Sequence, residues 1–155
     1  MTCEEAFKRL ERSAFRRKFH LSEHDRAYAL EKGIAVIRQH AEEFVHQHLG
    51  AATPEKDGKQ TPWRGHPVFT AQHATATCCR GCLEKWWHVK RGVALTSEQE
   101  KKIVHFIIAW IRRDLRRPSA EASEKPLASL GANRDSRFHF ECAENGAETA
   151  KVGSS

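Results

Sequence analysis

At 155 residues the chain has room for one domain of ordinary size, or a smaller domain with a tail. Charged residues make up 30% of it, apolar residues 39%, and the mean hydropathy is −0.66. No apolar run approaches the roughly 18 residues that a membrane-spanning helix requires, so no membrane role is expected. The formal net charge of +6 is uneven. Residues 1–116 hold 21 basic and 14 acidic side chains, and residues 117–155 hold five and six. Such an excess of cations on a small domain favours nucleic acid or another polyanion as partner.

The opening Met-Thr-Cys-Glu-Glu has no basic segment followed by an apolar one, so no secretory leader and a cytoplasmic location are expected. In that compartment the five cysteines are expected to be reduced, metal-bound or catalytic rather than disulfide-bonded. Thr2 and Glu5 have capping-box spacing. Ala6, Phe7, Leu10, Ala14 and Phe15 follow at helical spacing, predicting a first helix to about Lys18. Ser22 with Asp25 starts a second, running to about Glu31. Gly33 restarts the chain into a third, where Ile34, Ile37, Ala41, Phe44, Val45 and Leu49 form an apolar stripe closed by Gly50.

From Ala51 to Gly65 the composition turns to Pro, Gly, Lys, Gln and Thr, which reads as a long loop with a functional role. Pro67 suits the first position of a short helix to about Ala74, and another helical segment is expected from near Cys82. Thr96 with Gln99, or Ser97 with Glu100, caps the last helix. Its wide apolar face runs from Ile103 to Leu115, and Pro118 ends it. No segment alternates like a strand. The expected fold is a small all-α domain over residues 1–117 with an irregular Cys/His-containing loop region. Residues 118–155 lack apolar periodicity and read as a disordered, flexible low-complexity tail.

Residues 66–88 concentrate His66, His73, Cys78, Cys79, Cys82 and His88. Cys79-Arg80-Gly81-Cys82 is a C-x-x-C, a spacing that lets two thiolates reach one metal ion while the glycine permits a tight turn. Zinc takes four ligands. Cys79, Cys82 and His73 are the first choice, with His66, Cys78 or His88 as the fourth. On one continuous helix His73 and Cys79 would face different sides, so a shared ion requires a break between them, and Thr75 and Thr77 are weak helix formers. Around this cluster stand Lys59, Arg64, Arg80, Lys85, Lys90 and Arg91 as candidate phosphate contacts and Trp63 as a candidate base-stacking residue.

The stretches Gly58–Pro62, Arg64–Phe69 and Gln72–Trp86, with Phe19-His20-Leu21 and Asp25-Arg26, resemble an uncharacterised bacterial family catalogued as domain of unknown function 4186. The likeness extends over about residues 7 to 115 and carries no activity, substrate or catalytic residue to transfer. Two positions depart from the family pattern: Trp87-His88 stand where a His-Gly pair follows the Trp, and Lys90 stands for a proline. The reading is therefore a zinc-supported nucleic-acid-binding module. The alternatives are a metal-dependent hydrolase or nuclease, or a Cys–His thiol enzyme built on the 66–82 cluster.

Overall fold

The computed structural model describes residues 1–118. Among these residues there are seven helices and no strand. The tail expected after residue 117 lies, apart from Pro118, outside the described residues.

Helix α1 (Cys3–Glu11) carries the Thr2–Glu5 capping box, with Glu5 N–H donating to Thr2 Oγ1 at 3.1 Å. It ends seven residues earlier than its apolar spacing predicts. Ser13 takes the N-cap of a separate one-turn helix, α2 (Ala14–Arg17), its hydroxyl accepting from Arg16 N–H at 3.2 Å. A capping serine competes with helix continuation because its side chain offers the backbone another partner. Helices α3 (Glu23–Lys32) and α4 (Ile34–Leu49) meet at Gly33, whose φ of 88° is readily adopted only by glycine. Helix α5 (Pro67–Ala74) starts at its proline as predicted. The expected break follows: the backbone leaves the helix at Thr75, with Ala76 left-handed at φ 59° and Thr77 N–H donating to Gln72 C=O at 2.9 Å. Helix α6 (Arg80–Trp87) begins two residues before the expected position, because Cys79 rather than Gly81 ends the extended stretch. Helix α7 (Ser97–Leu115) has the Thr96–Gln99 capping box.

Helix α7 is the central element. One side of it, with Val104, Ile107, Ile108 and Ile111, packs into a core with Ile37, Ala41, Val45 and Leu49 of α4 and Val68 and Ala71 of α5. Another side, with Phe106 and Ala109, packs with Cys3, Ala6, Phe7 and Leu10 of α1; Phe7 and Phe106 stack with centroids 5.1 Å apart. Full burial of each aliphatic side chain contributes about 1.5–3 kcal/mol, so α7 anchors every other layer. Trp110, on the same helix, is partly buried between the two packed regions. Asp114 near the C-terminus of α7 is buried and ties down the α2–α3 connection, accepting from Leu21 N–H at 2.8 Å. Arg26 of α3 donates to the carbonyls of Asp114, Leu115 and Arg117. That closes the last turn of α7 with a cation, where the helix dipole favours one. The scaffold thus brings α2 against α5 and the start of α6, where Cys78, Cys79 and Cys82 converge. No helix of the described residues is long and apolar enough to cross a membrane.

Candidate metal centre

Cys78 leaves the α5–α6 turn, Cys79 is the N-cap of α6 and Cys82 lies in its first turn. The extended backbone at Cys79 (φ −158°, ψ 167°) swings its sulfur back over the helix start, where it accepts from Cys82 N–H at 3.4 Å. The three sulfurs lie within 4.8 Å of one another, and among the described residues no other group of three His, Cys, Asp or Glu donors comes this close. Cys78 Sγ and Cys82 Sγ are 3.7 Å apart. Tetrahedral zinc with bonds of about 2.3 Å separates its sulfurs by about 3.8 Å. The donor set therefore fits a metal ion in chemistry and in spacing. All three thiols are free. Cys3 departs from the expectation of reduced cysteines and is disulfide-bonded.

Arg16 completes the electrostatics. This residue is nearly buried. Its Nη2 donates to Cys82 Sγ at 3.1 Å, Nη1 lies 3.9 Å from Cys78 Sγ, and Nη1 donates to the His73 carbonyl at 2.6 Å. The sulfur contacts of Cys78 and Cys79, with Arg16 behind them, hold the Cys82 thiol below its ordinary range, which favours its thiolate. Its neighbour Cys78 is pushed up by Cys79, Cys82 and burial. On the other flank Arg91 sits beside Cys79: a Cβ on Gly81 would lie 3.9 Å from Cys79 Sγ and 4.0 Å from Arg91 Nη1.

The two predicted histidine ligands part company. His73 is buried against the 61–63 segment: Nε2 faces the carbonyls of Thr61 at 3.3 Å and Pro62 at 3.2 Å, so it carries the proton. Its Nδ1 is buried with no hydrogen-bond partner among the described residues. Burial lowers its pKa and keeps the imidazole neutral. His73 is outside the group of three sulfurs, although its carbonyl shares Arg16 with Cys82. His66 has a different task. Its Nδ1 accepts from Val68 N–H at 3.0 Å, capping α5, and its Nε2 meets His40 Nδ1 at 2.9 Å among Tyr28, Phe44 and Phe69. Both of its nitrogens are engaged, so His66 is corrected from candidate ligand to helix cap. His88 is exposed at the left-handed C-cap of α6. Cys78 takes the place in the sulfur group for which these histidines were the alternatives.

The predicted phosphate contacts divide as well. Arg80 is corrected outright: it is 1% exposed and donates to the carbonyls of Leu49, Ala51, Lys90 and Val93 at 2.6–3.1 Å. It staples the end of α4 to the turn after α6 and offers nothing to a ligand. Lys59, Arg64, Lys85, Lys90 and Arg91 are exposed. Arg91 is paired with Asp57 at 2.7 Å, and Lys85 joins Arg9 and Arg12 around Trp86. Trp63 is 60% exposed, lying flat on His73 with centroids 4.0 Å apart and meeting Phe15 edge-on at 6.3 Å. Phe15 is 42% exposed, with Lys18 Nζ at 4.8 Å over its ring. The sequence reading missed the whole contribution of α1 and α2. Arg12, Arg16, Arg17 and Lys18 read as cations of a helix end, and no local signal distinguishes a guanidinium that will meet a sulfur 66 residues away.

An all-helical domain with three thiols gathered at a helix N-terminus, and an arginine behind them, is the class that fold and site define. The sequence profile of the domain of unknown function 4186 (DUF4186) matches residues 4–112, and the chain belongs to that family. No solved structure matches it.

Proposed function

We propose that this chain is a metal-supported nucleic-acid-binding module, with one zinc ion held by Cys78, Cys79 and Cys82 and His73 as the fourth donor. The observation that carries the reading is the trio of free thiols at zinc-like spacing. His73 suits the fourth position because its Nε2–H is anchored on backbone carbonyls and its Nδ1 lone pair is buried without a partner. Ligand histidines are commonly oriented in this way by the hydrogen bond of their other nitrogen. Three thiolates leave a zinc site with a net charge of −1, which Arg16 offsets. The ion would tie the α5–α6 turn to the loop over it and supply stability that a polar domain of about 110 residues otherwise lacks.

Nucleic acid is the proposed partner because cations and exposed rings share the face beside the sulfurs. Trp63 and Phe15 offer stacking surfaces, and Arg12, Lys18, Arg64 and Lys85 offer phosphate contacts. A single strand suits this face better than a duplex, since unpaired bases expose the faces that stack on aromatic rings.

Native mass spectrometry of the purified chain tests the metal, with one zinc per chain expected. Cys79→Ser and Cys82→Ser should lose it, and His73→Ala should raise its off-rate to a chelator. Filter binding across salt concentrations tests the partner. Four phosphate contacts give a log–log slope near −3 for a single strand. Metal-free protein whose melting is indifferent to chelation would overturn the zinc reading. A hyper-reactive Cys82 in such protein would put the thiol-enzyme reading first.

A further inference from the structure

A second recess lies on the far side of Arg16, between α1, α2 and the C-terminal half of α7. It is a pocket of about 280 Å³. Four guanidiniums line it, those of Arg16, Arg17, Arg113 and Arg117, against two carboxylates, Glu11 and Asp114. The carboxylates are already engaged: Arg113 pairs with Glu11 at 2.7 Å, and Asp114 accepts from Leu21 N–H and pairs with Arg117 at 3.5 Å. Arg17 is exposed, and its guanidinium has no hydrogen bond or ion pair among the described residues. Arg117 points Nη1 at His20 Nδ1 at 2.6 Å and pairs with Asp114 at 3.5 Å, which leaves Nη2 open. Beside these cations stand the rings of Phe7, Phe19 and Trp110. Arg16 is held by Cys82, Arg113 by Glu11 and Arg117 by Asp114, so the recess combines the free charge of Arg17 with aromatic walls.

We propose that this pocket binds a phosphate monoester carried on a planar ring system, of which a nucleoside 5′-monophosphate is the simplest example. The phosphate supplies the counter-charge that Arg17 lacks, and Arg17 with the free Nη2 of Arg117 presents planar donors of the kind that hold phosphate through paired hydrogen bonds. The ring lies against Phe19 or Trp110. Arg16 forms a wall of this pocket and also holds Cys82, so an occupant sits one side chain away from the sulfur cluster. The site does not depend on zinc being bound.

Titration calorimetry on the full chain, with adenosine 5′-monophosphate, inorganic phosphate and adenosine as probes, tests the proposal. One saturable site for the nucleotide is expected, with adenosine at least tenfold weaker. The double variant Arg17→Ala/Arg117→Ala should weaken nucleotide binding at least tenfold with an unchanged helical spectrum. The charge-matched Lys59→Ala/Lys90→Ala should change it less than twofold. Arg17→Glu alters only an exposed, unpartnered residue, so it reports even if the double variant folds poorly; it should also weaken binding at least tenfold. A 5′-phosphorylated oligonucleotide that displaces the nucleotide, while its 5′-hydroxyl counterpart does not, would make strand ends the source of the phosphate. Failure of both to displace would make it a free nucleotide. No saturable nucleotide binding, equal binding of adenosine, or an equal loss in the Lys59/Lys90 variant would overturn the proposal.

Discussion

Replacing Arg80 with methionine separates a structural arginine from a ligand-binding one. Methionine retains an unbranched apolar stem of similar reach, so the change removes chiefly the guanidinium. Four carbonyls then lose their donor: Leu49 and Ala51 at the end of α4, and Lys90 and Val93 in the turn after α6. Hydrogen bonds from a charged donor are worth about 1.5–3 kcal/mol each in mutational series. Two effects offset part of this sum. Removing a buried charge recovers its desolvation cost of several kcal/mol, and Arg80 Nε is buried without a partner. A net loss of about 3–5 kcal/mol is expected, as when one partner of a buried charged network is removed. For a domain of this size that corresponds to a fall in Tm of roughly 10–20 °C. Urea unfolding followed by circular dichroism measures it, and strand binding is compared per folded molecule. Arg80→Lys should recover little, because a point charge cannot span four acceptors. A loss under about 1 kcal/mol, together with a folded variant that no longer binds nucleic acid, would show that Arg80 acts as a contact and not as a staple.

His66 makes stability pH-dependent. Burial first, and His40 second, lower its pKa from 6.5 to about 4 in the folded protein. The neutral form is therefore favoured by folding: its contribution is fully present above pH 6.5 and is lost as pH falls from 6.5 towards 4. The loss amounts to about 3 kcal/mol; His66→Asn keeps a capping side chain, and chemical denaturation of it from pH 7 to 4 should show a visibly flatter decline. Trp63→Ala should weaken single-strand binding by about 1–3 kcal/mol in a fluorescence anisotropy titration, and unchanged affinity would leave Trp63 as a cover for His73. Thr96→Ala removes the α7 cap and should cost about 1 kcal/mol by urea denaturation, with Thr96→Ser nearly neutral.

Local rules carry much of this fold. The capping boxes at Thr2 and Thr96, the Ser22 cap, the proline start of α5 and the glycine after α3 each act within a few residues, so spacing alone reveals them. The apolar face of α7 marks it as central for the same reason. A C-x-x-C also reads directly, since a helix N-terminus brings residues three apart to one point. Ser13 shows where local rules conflict: helical apolar spacing continues past it, yet its side chain caps a new helix. Only the tertiary structure assigns the arginines and histidines. Arg16 meets Cys82 across 66 positions and Arg80 meets Leu49 across 31. In the sequence both look like any surface cation. His66 and His73 differ only in what surrounds them, a capped backbone N–H and His40 for one, the carbonyls of Thr61 and Pro62 and the ring of Trp63 for the other. A long side chain's role is set by the acceptors that packing places within its reach, and packing is decided by the whole chain.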